Sequence, residues 1–176
     1  MDRICKKNCC GQTAVREAFT LVEILVVVVI LGIAMVMAVP MFSSAASVQV
    51  DSAANMIASD LEYARSMAIT KQQSYGAQFY ADTDKYRIVD HNSNVVEHPI
   101  NRGNFEIIFP SQRNLNQVDI SGIDIDGSDK VSFDYLGSPF NNTGAAMNNE
   151  GVITISAGGI TKTVRISPVT GYVRIE

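Results

Sequence analysis

The pattern of hydrophobic and polar residues changes three times along the chain, and each change predicts a different kind of segment. Residues 1–18 are polar and basic, whereas residues 24–39 run for sixteen positions without a charge. From about residue 43, apolar residues recur every three or four positions, which is typical of a helix with one buried face. From residue 73, short runs rich in Val, Ile, Phe, Tyr and Thr alternate with turn residues, which is typical of β-strands.

The first part of the predicted helix, residues 19–42, is apolar on all sides. A helix of this kind is expected in lipid, where about 20 apolar residues span the hydrocarbon core. Pro40 lies near its end, and because proline lacks an amide donor and crowds the preceding turn, we expect a kink there. We therefore predict one helix from Phe19 to about Lys71, with a transmembrane first half.

The second part of the helix, residues 43–72, is amphipathic. One face carries a stripe at spacings of three and four residues, formed by Ala53, Ile57, Leu61, Ala64 and Ala68. A stripe of this width normally packs on a globular domain. Glu62 and Arg65 are three residues apart, and we expect them to form a weak ion pair worth about 0.2–0.5 kcal/mol.

Residues 73–176 are predicted to form a β-rich domain. The seven predicted strands are residues 74–80, 85–90, 104–109, 130–135, 151–157, 160–167 and 171–175. The clearest hairpin joins 151–157 to 160–167 through Gly158-Gly159. The fold class predicted is α+β, with a long N-terminal helix packed against a small antiparallel β-sandwich or open sheet.

Composition narrows the class of protein. The chain has 14 basic and 18 acidic residues; residues 1–18 hold 4 and 2 of them, which leaves 10 and 16, a net charge of −6. An acidic domain argues against broad, nonspecific binding of nucleic acid. The three cysteines, Cys5, Cys9 and Cys10, all precede residue 19, so no disulfide framework is expected in the rest of the chain.

The junction between the leader and the apolar run reads Ala-Phe-Thr-Leu-Val-Glu over residues 18–23. It resembles the processing site of type IV pilins and type II secretion pseudopilins. The resemblance implies that a prepilin peptidase cuts between Ala18 and Phe19 on the cytoplasmic side and that Phe19 is then N-methylated. Ala18 departs from the glycine usual before the cut.

Glu23 falls at the fifth position of the implied mature chain. Burying a carboxylate in hydrocarbon is costly, so an acid at the start of an apolar run is expected to have a function. Pairing with the N-terminal amine of a neighbouring subunit removes much of that cost and selects one axial offset between subunits. A carboxylate that reaches the membrane surface is the alternative.

Two other readings of the N-terminus remain open. A basic segment followed by an apolar run also describes a secretory signal peptide, which would be cut after about Ala38 and release a soluble protein. The second alternative is a plain signal anchor. Neither needs an acid near the start of the apolar run.

The β-rich region carries a narrower resemblance, to minor pseudopilins of the GspH/FimT family. The matching segments are residues 60–69, 131–133, 137, 151–155, 165–167 and 171–175, while residues 90–130 carry no marker. The resemblance implies a structural, non-enzymatic subunit of the type II secretion pseudopilus without a cofactor. It implies a single-pass protein of the bacterial inner membrane, with a periplasmic domain and with lipid and other pilin subunits as partners of its helix.

Other candidate chemistry is weaker. His91 and His98 fall in a polar region and are expected to be solvated loop residues. The acidic turn 124–129 lacks the ligand spacing of a calcium-binding EF-hand, and no metal is expected there.

DNA uptake is the alternative function. Residues 171–174 partly match a Gly-Arg-x-Arg tail with which some FimT-like proteins contact DNA. Lys162, Arg165 and Arg174 are the candidate contacts, although two or three phosphate contacts give only weak, salt-sensitive binding.

Overall fold

The computed structural model describes residues 20–176, apart from the side chains of residues 36–44. The chain divides into two units, Met1–Val39 and Pro40–Glu176. Helix α1 runs from Leu21 to Lys71 and crosses that boundary. The leader 1–18, with its three cysteines, lies outside the described residues. Pro40 lies within α1, but its side chain is not described, so the kink stays a prediction.

The end of α1 is confirmed at Lys71, where a change in backbone conformation stops the helix. Gln72, the next residue, has φ 53°, which is the left-handed conformation that commonly terminates helices. Lys71 places a positive charge in the last turn, where it interacts favourably with the negative end of the helix dipole. Among residues 20–176, no helix combines the length and the apolar composition that crossing a membrane requires.

Nine strands follow the helix. They are β1 (Tyr75–Tyr80), β2 (Lys85–Val89), β3 (Glu106–Ile108), β4 (Asp119–Asp124), β5 (Lys130–Phe133), β6 (Pro139–Asn141), β7 (Gly151–Ala157), β8 (Ile160–Ile166) and β9 (Val173–Ile175). All seven predicted strands are present, several of them shorter than predicted. The prediction missed β4 and β6.

The strands form two antiparallel sheets. One has the order β3-β2-β1-β5-β6 and the other has the order β4-β7-β8-β9. The predicted hairpin is β7–β8, with Ala157 opposite Ile160 and both turn glycines at positive φ. That geometry fits the right-handed twist of the flanking strands. The α+β prediction of a helix with a small two-sheet domain is confirmed.

The two missed strands have weak local signals. Strand β4 reads Asp-Ile-Ser-Gly-Ile-Asp, and its pairing with β7 shifts register between Ile120 and Gly122, which breaks simple alternation. Strand β6 has three residues and begins with Pro139. It lies at a sheet edge, where proline is tolerated.

The helix stripe lies in the shared core, as predicted. All five of its residues, Ala53, Ile57, Leu61, Ala64 and Ala68, are buried in a single hydrophobic cluster with residues of both sheets. The Cβ of Ala46 approaches Gly158 at the β7–β8 turn, and Asp51 ion-pairs with Lys162 of β8. The start of the domain's helix therefore contacts the four-stranded sheet.

The end of the helix contacts the five-stranded sheet. Arg65 Nε donates to the carbonyl oxygen of Gly137 at 3.2 Å, which holds the β5–β6 turn on the helix. Arg65 also forms the predicted ion pair with Glu62, with 3.5 Å between Nη1 and Oε2. Asp84, in the β1–β2 turn, accepts the amide of Ile120 at 2.8 Å and so ties the two sheets together.

One polar pair connects the helix to β2 inside the domain. The hydroxyl of Tyr86, whose side chain is fully buried, donates to Asp60 Oδ2 at 2.6 Å. Burial raises the pKa of Asp60 above its usual 3.8, although the hydrogen bond from Tyr86 and the charge of His98 both lower it. Burial, followed by the charge and hydrogen bond of Asp60, raises the pKa of Tyr86 well above its usual value.

We expect Tyr86→Phe to destabilise the protein by about 1–3 kcal/mol at pH 7, because the Asp60 carboxylate loses its donor in a largely buried place. A raised pKa favours the protonated carboxyl in the folded state. The resulting stabilisation is therefore complete below pH 3.8 and is lost as the pH rises through the folded-state pKa. The mutational loss should accordingly be largest at neutral pH and should shrink in acid. Urea unfolding at several pH values measures this.

Tyr63→Phe is the matched control for this experiment. The ring of Tyr63 packs on Phe105 with 5.7 Å between centroids, and none of the hydrogen bonds found among the described residues involves its hydroxyl. We expect this variant to lose little stability at any pH. An equal loss for Tyr86→Phe at pH 4 and pH 7 would contradict the account.

Candidate assembly site

The candidate site begins at the N-terminal cap of α1. The amide of Glu23 donates to Thr20 Oγ1 at 3.2 Å and to the carbonyl oxygen of Thr20 at 3.0 Å. Threonine at the cap followed by glutamate three residues later is the sequence signature of a helix start. Glu23 therefore lies in the first turn of the helix, where its carboxylate interacts favourably with the positive end of the helix dipole.

The helix that follows exposes its apolar side chains on every side. Within residues 20–35, twelve large apolar side chains are between 47% and 81% exposed. They are Leu21, Val22, Ile24, Leu25, Val26, Val27, Val28, Val29, Ile30, Leu31, Ile33 and Met35. An apolar surface of this extent is unfavourable in water and marks a site of contact with lipid or protein. Glu23 is the single charged residue of this stretch.

Glu23 is thus one charged side chain on an otherwise apolar helix surface over residues 20–35. Apolar contact gives little preference for one axial position over another, because similar side chains recur along the segment. A carboxylate that must find a cation when it is buried does distinguish between positions. Ala18 and Phe19, the residues of the predicted cleavage, lie outside the described residues.

Two of the three candidate DNA contacts, Arg165 and Arg174, lie side by side, and all three are paired with carboxylates. Arg165 of β8 and Arg174 of β9 face each other in register. Arg165 Nη1 and Arg174 Nη2 donate to Glu150 Oε2 at 3.2 and 3.1 Å. Arg174 Nε lies 3.2 Å from Glu176 Oε1, and Arg165 Nε lies 2.7 Å from Glu176 Oε2 without hydrogen-bond alignment.

The third candidate, Lys162, is paired as well, with 3.0 Å between its Nζ and Asp51 Oδ1. Lys162 lies on the opposite face of β8 from Arg165, because side chains three residues apart on a strand point to opposite faces. The sequence therefore predicted the neighbouring pair Arg165 and Arg174 but missed their acidic partners. The hairpin register contained part of the signal, because Glu150 directly precedes β7, whose Val152 lies opposite Arg165. Glu176 follows β9, and its contacts with the two arginines could be predicted only from the pairing of β8 with β9 in the folded domain.

Two carboxylates of the acidic turn 124–129 accept hydrogen bonds, one from within the turn and one from residues 148 and 149. Asp124 Oδ1 accepts the amide of Gly127 at 3.0 Å, and Asp126 accepts the amide of Asn148 and the side-chain amide of Asn149. The hydrogen bonds from Asn148 and then Asn149 lower the pKa of Asp126. Across residues 20–176, no group of three or more His, Cys, Asp or Glu side chains is placed to hold a metal ion.

The two histidines do not meet. His98 packs on Phe105 with 4.4 Å between ring centroids, and its Nδ1 accepts the amides of Ile100 and Asn101 at 3.1 and 3.3 Å. These contacts hold a loop in place. His91 is exposed in the turn after β2.

An N-terminal apolar helix with a capped acid, continuing into a helix that packs on antiparallel sheets, defines a pilin-like protein. The family model described as type II transport protein GspH matches residues 53–171, and the prokaryotic N-terminal methylation motif matches residues 15–39. The chain belongs to the GspH family. This confirms the assignment to the GspH/FimT-type, pilin-like proteins made from the sequence.

Solved structures provide a second comparison. The minor pseudopilin EpsH from the type 2 secretion system of Vibrio cholerae is similar with a TM-score of 0.53 and 10% identity, over 73% of this chain and 96% of that chain. The type IV minor pilin FimU of Pseudomonas aeruginosa matches with a TM-score of 0.48 and 17% identity, over 72% of this chain and 91% of that chain. At this level of identity the likeness to EpsH establishes the fold. No curated protein matches the sequence significantly.

We expect the wild-type protein to show no binding to duplex DNA at physiological salt, because Arg165 and Arg174 each contact two carboxylates. Replacing both acids, with Glu150→Gln plus Glu176→Gln, should free the arginines and give weak binding that falls steeply with salt. Fluorescence anisotropy with a labelled duplex measures both. Salt-dependent binding by the wild type that is lost on Arg165→Ala plus Arg174→Ala would contradict this and favour the DNA-uptake alternative.

Proposed function

We propose that the protein is a minor pseudopilin, a structural and non-catalytic subunit of the type II secretion pseudopilus. The observation that supports this most is the helix segment at residues 20–35, which is apolar and exposed on every side but carries one acid in its first turn. Membership in the GspH family supports the secretion system in particular.

In this proposal, residues 19–42 anchor the precursor in the bacterial inner membrane. The leader 1–18 carries four basic residues and stays in the cytoplasm, in keeping with the excess of Lys and Arg on that side of membranes. Residues 43–72 continue the helix outside the bilayer, and the β-rich domain 73–176 lies in the periplasm. Pro40 marks the change between the two parts of the helix and loosens its hydrogen bonding there.

Assembly then transfers the anchor helix from lipid into a bundle of neighbouring helices. The apolar side chains exchange one apolar environment for another, so they contribute little to position. Glu23 must find a cation when it leaves the membrane surface, and the free amine of Phe19 on a neighbouring subunit is the cation that processing creates. N-methylation leaves that amine protonated. The pair sets the axial offset between subunits.

Processing by a prepilin peptidase is the first testable part of the proposal. We expect N-terminal sequencing and mass spectrometry of the mature protein to find N-methylated Phe19 as its first residue. The methylation motif over residues 15–39 supports this expectation. A mature chain that starts after about Ala38 would instead identify a secretory signal peptide.

Assembly is the second testable part. We expect Glu23→Gln to lower incorporation into sheared pseudopili by about tenfold or more, because the partner amine is then buried without a counter-charge. Quantitative immunoblotting of the sheared and membrane fractions measures incorporation. N-terminal sequencing of the same samples checks that the variant is still processed.

Glu62→Gln is the matched control, since Glu62 lies on the same helix, outside the anchor, and pairs with Arg65 of its own chain. We expect it to be incorporated like the wild type. Unchanged incorporation of Glu23→Gln would refute the pairing mechanism, while family membership would stand.

A further inference from the structure

Exposed apolar side chains of the domain are concentrated at the end where α1 stops. Within residues 45–176, seven large apolar side chains are exposed, and five of them lie on three segments: the last turn of α1, the β5–β6 turn and the β8–β9 loop. We call these five residues the end patch; they are Ile69, Tyr135, Leu136, Val169 and Tyr172. The other two, Val48 and Ile100, lie on the first turns of the domain's helix and in the β2–β3 loop.

The three segments of the end patch contact one another. Arg65 Nε donates to the carbonyl oxygen of Gly137, and a Cβ at Gly137 would lie 3.1 Å from Ile69 Cδ1. A Cβ at Gly171 would clash with the same carbonyl oxygen of Gly137. The β5–β6 turn therefore lies against both the helix end and the β8–β9 loop, and the five apolar side chains belong to one region of the surface.

Val169 is held in a backbone conformation that its side chain disfavours. Its φ is 71°, and the amide of Thr170 donates to the carbonyl oxygen of Pro168 at 2.8 Å, which closes a three-residue turn around it. Such a turn with positive φ at its centre is rare and strained, and a β-branched residue is an outlier there. The side chain gains no burial in return, because it is 76% exposed. Strain of this kind is concentrated at functional sites, so the exposed valine indicates a contact surface.

The size of the end patch indicates what kind of partner covers it. A large aromatic side chain has about 150–250 Å² of surface, so five large side chains that are between 46% and 76% exposed present on the order of 500 Å². Apolar patches of this size are at the upper end for monomeric proteins. A free-standing complex, however, buries roughly 800 Å² on each partner. The end patch is therefore sufficient only for a partner that another contact already holds nearby, at an effective concentration of about millimolar.

The anchor helix supplies that other contact. We propose that the end patch binds an apolar surface on the β-rich domain of the neighbouring pilin-like subunit in the assembled pseudopilus. This inference rests on the proposed function, since packing of the anchor helices brings the two domains together. It adds a contact outside the membrane that is separate from the pair formed by Glu23.

The first test replaces two exposed side chains of the patch by polar ones, in the variant Leu136→Gln plus Val169→Asn. We expect its incorporation into sheared pseudopili to fall by at least about fivefold, because two apolar contacts between domains are lost. Its unfolding temperature should not fall, since neither side chain is buried and Asn tolerates a positive φ better than Val. Immunoblotting of the sheared and membrane fractions and thermal unfolding in neutral detergent measure the two quantities.

Ile100→Gln is the matched control, because Ile100 is exposed as well but lies outside the end patch. It should be incorporated like the wild type. Equal incorporation of the wild type and the double variant, or an equal loss with Ile100→Gln, would overturn the inference and leave the proposed function standing. Absence of the wild type itself from sheared pseudopili would refute the proposed function and this inference with it.

The second test identifies the partner. Tyr135 is replaced by the photo-crosslinking residue p-benzoylphenylalanine, and cells that assemble pseudopili are illuminated. We expect a crosslinked protein whose mature N-terminus, by mass spectrometry, is a methylated residue with an acid at the fifth position. The same replacement at Ile100 should not yield this product. A crosslink to lipid, or to a protein that lacks such an N-terminus, would overturn the inference.

Discussion

Burial of the helix stripe beneath two sheets is the contact on which the rest of the domain depends. Each sheet has one apolar face, and small sheets of this kind are marginal unless that face is covered. Ile57 and Leu61, with the alanines of the stripe, supply the cover and lie in one cluster with core residues of both sheets. The alanines allow the strands to approach closely, and the two larger side chains fill the centre. Helix and sheets therefore share a core that no one of them forms alone.

That core also explains where polar side chains had to be placed. Asp60 lies on the helix near the stripe and reaches the fully buried Tyr86 of β2, which supplies the donor that a buried carboxylate needs. Elsewhere the charged groups are paired at the surface, as Arg165 and Arg174 are with Glu150 and Glu176. Such pairs contribute little stability, but they neutralise the two arginines that had suggested binding to nucleic acid.

Local pattern was sufficient for much of the fold. The spacing of the stripe identified the buried helix face, and Gly158-Gly159 between two alternating runs identified the β7–β8 hairpin. Strand β4 was not predicted because a bulge and Gly122 interrupt the alternation of its apolar residues. Strand β6 was not predicted because three residues beginning with proline are too few to show a periodicity. Of the candidate site, Glu23 was identified from the sequence, and the structure adds its cap and its exposed apolar surroundings.

The sequence by itself determined the segments whose signal lies within a few residues. These are the apolar run with its single acid, the amphipathic helix to Lys71 and the hairpin, because helical and strand periodicities are local properties. Tertiary structure alone decided which distant groups meet. The position of Glu176 beside Arg165 and Arg174 and the pairing of Asp60 with Tyr86 depend on strand order and on the docking of the helix. Strand pairing and helix docking set these distances, and no spacing along the chain encodes them.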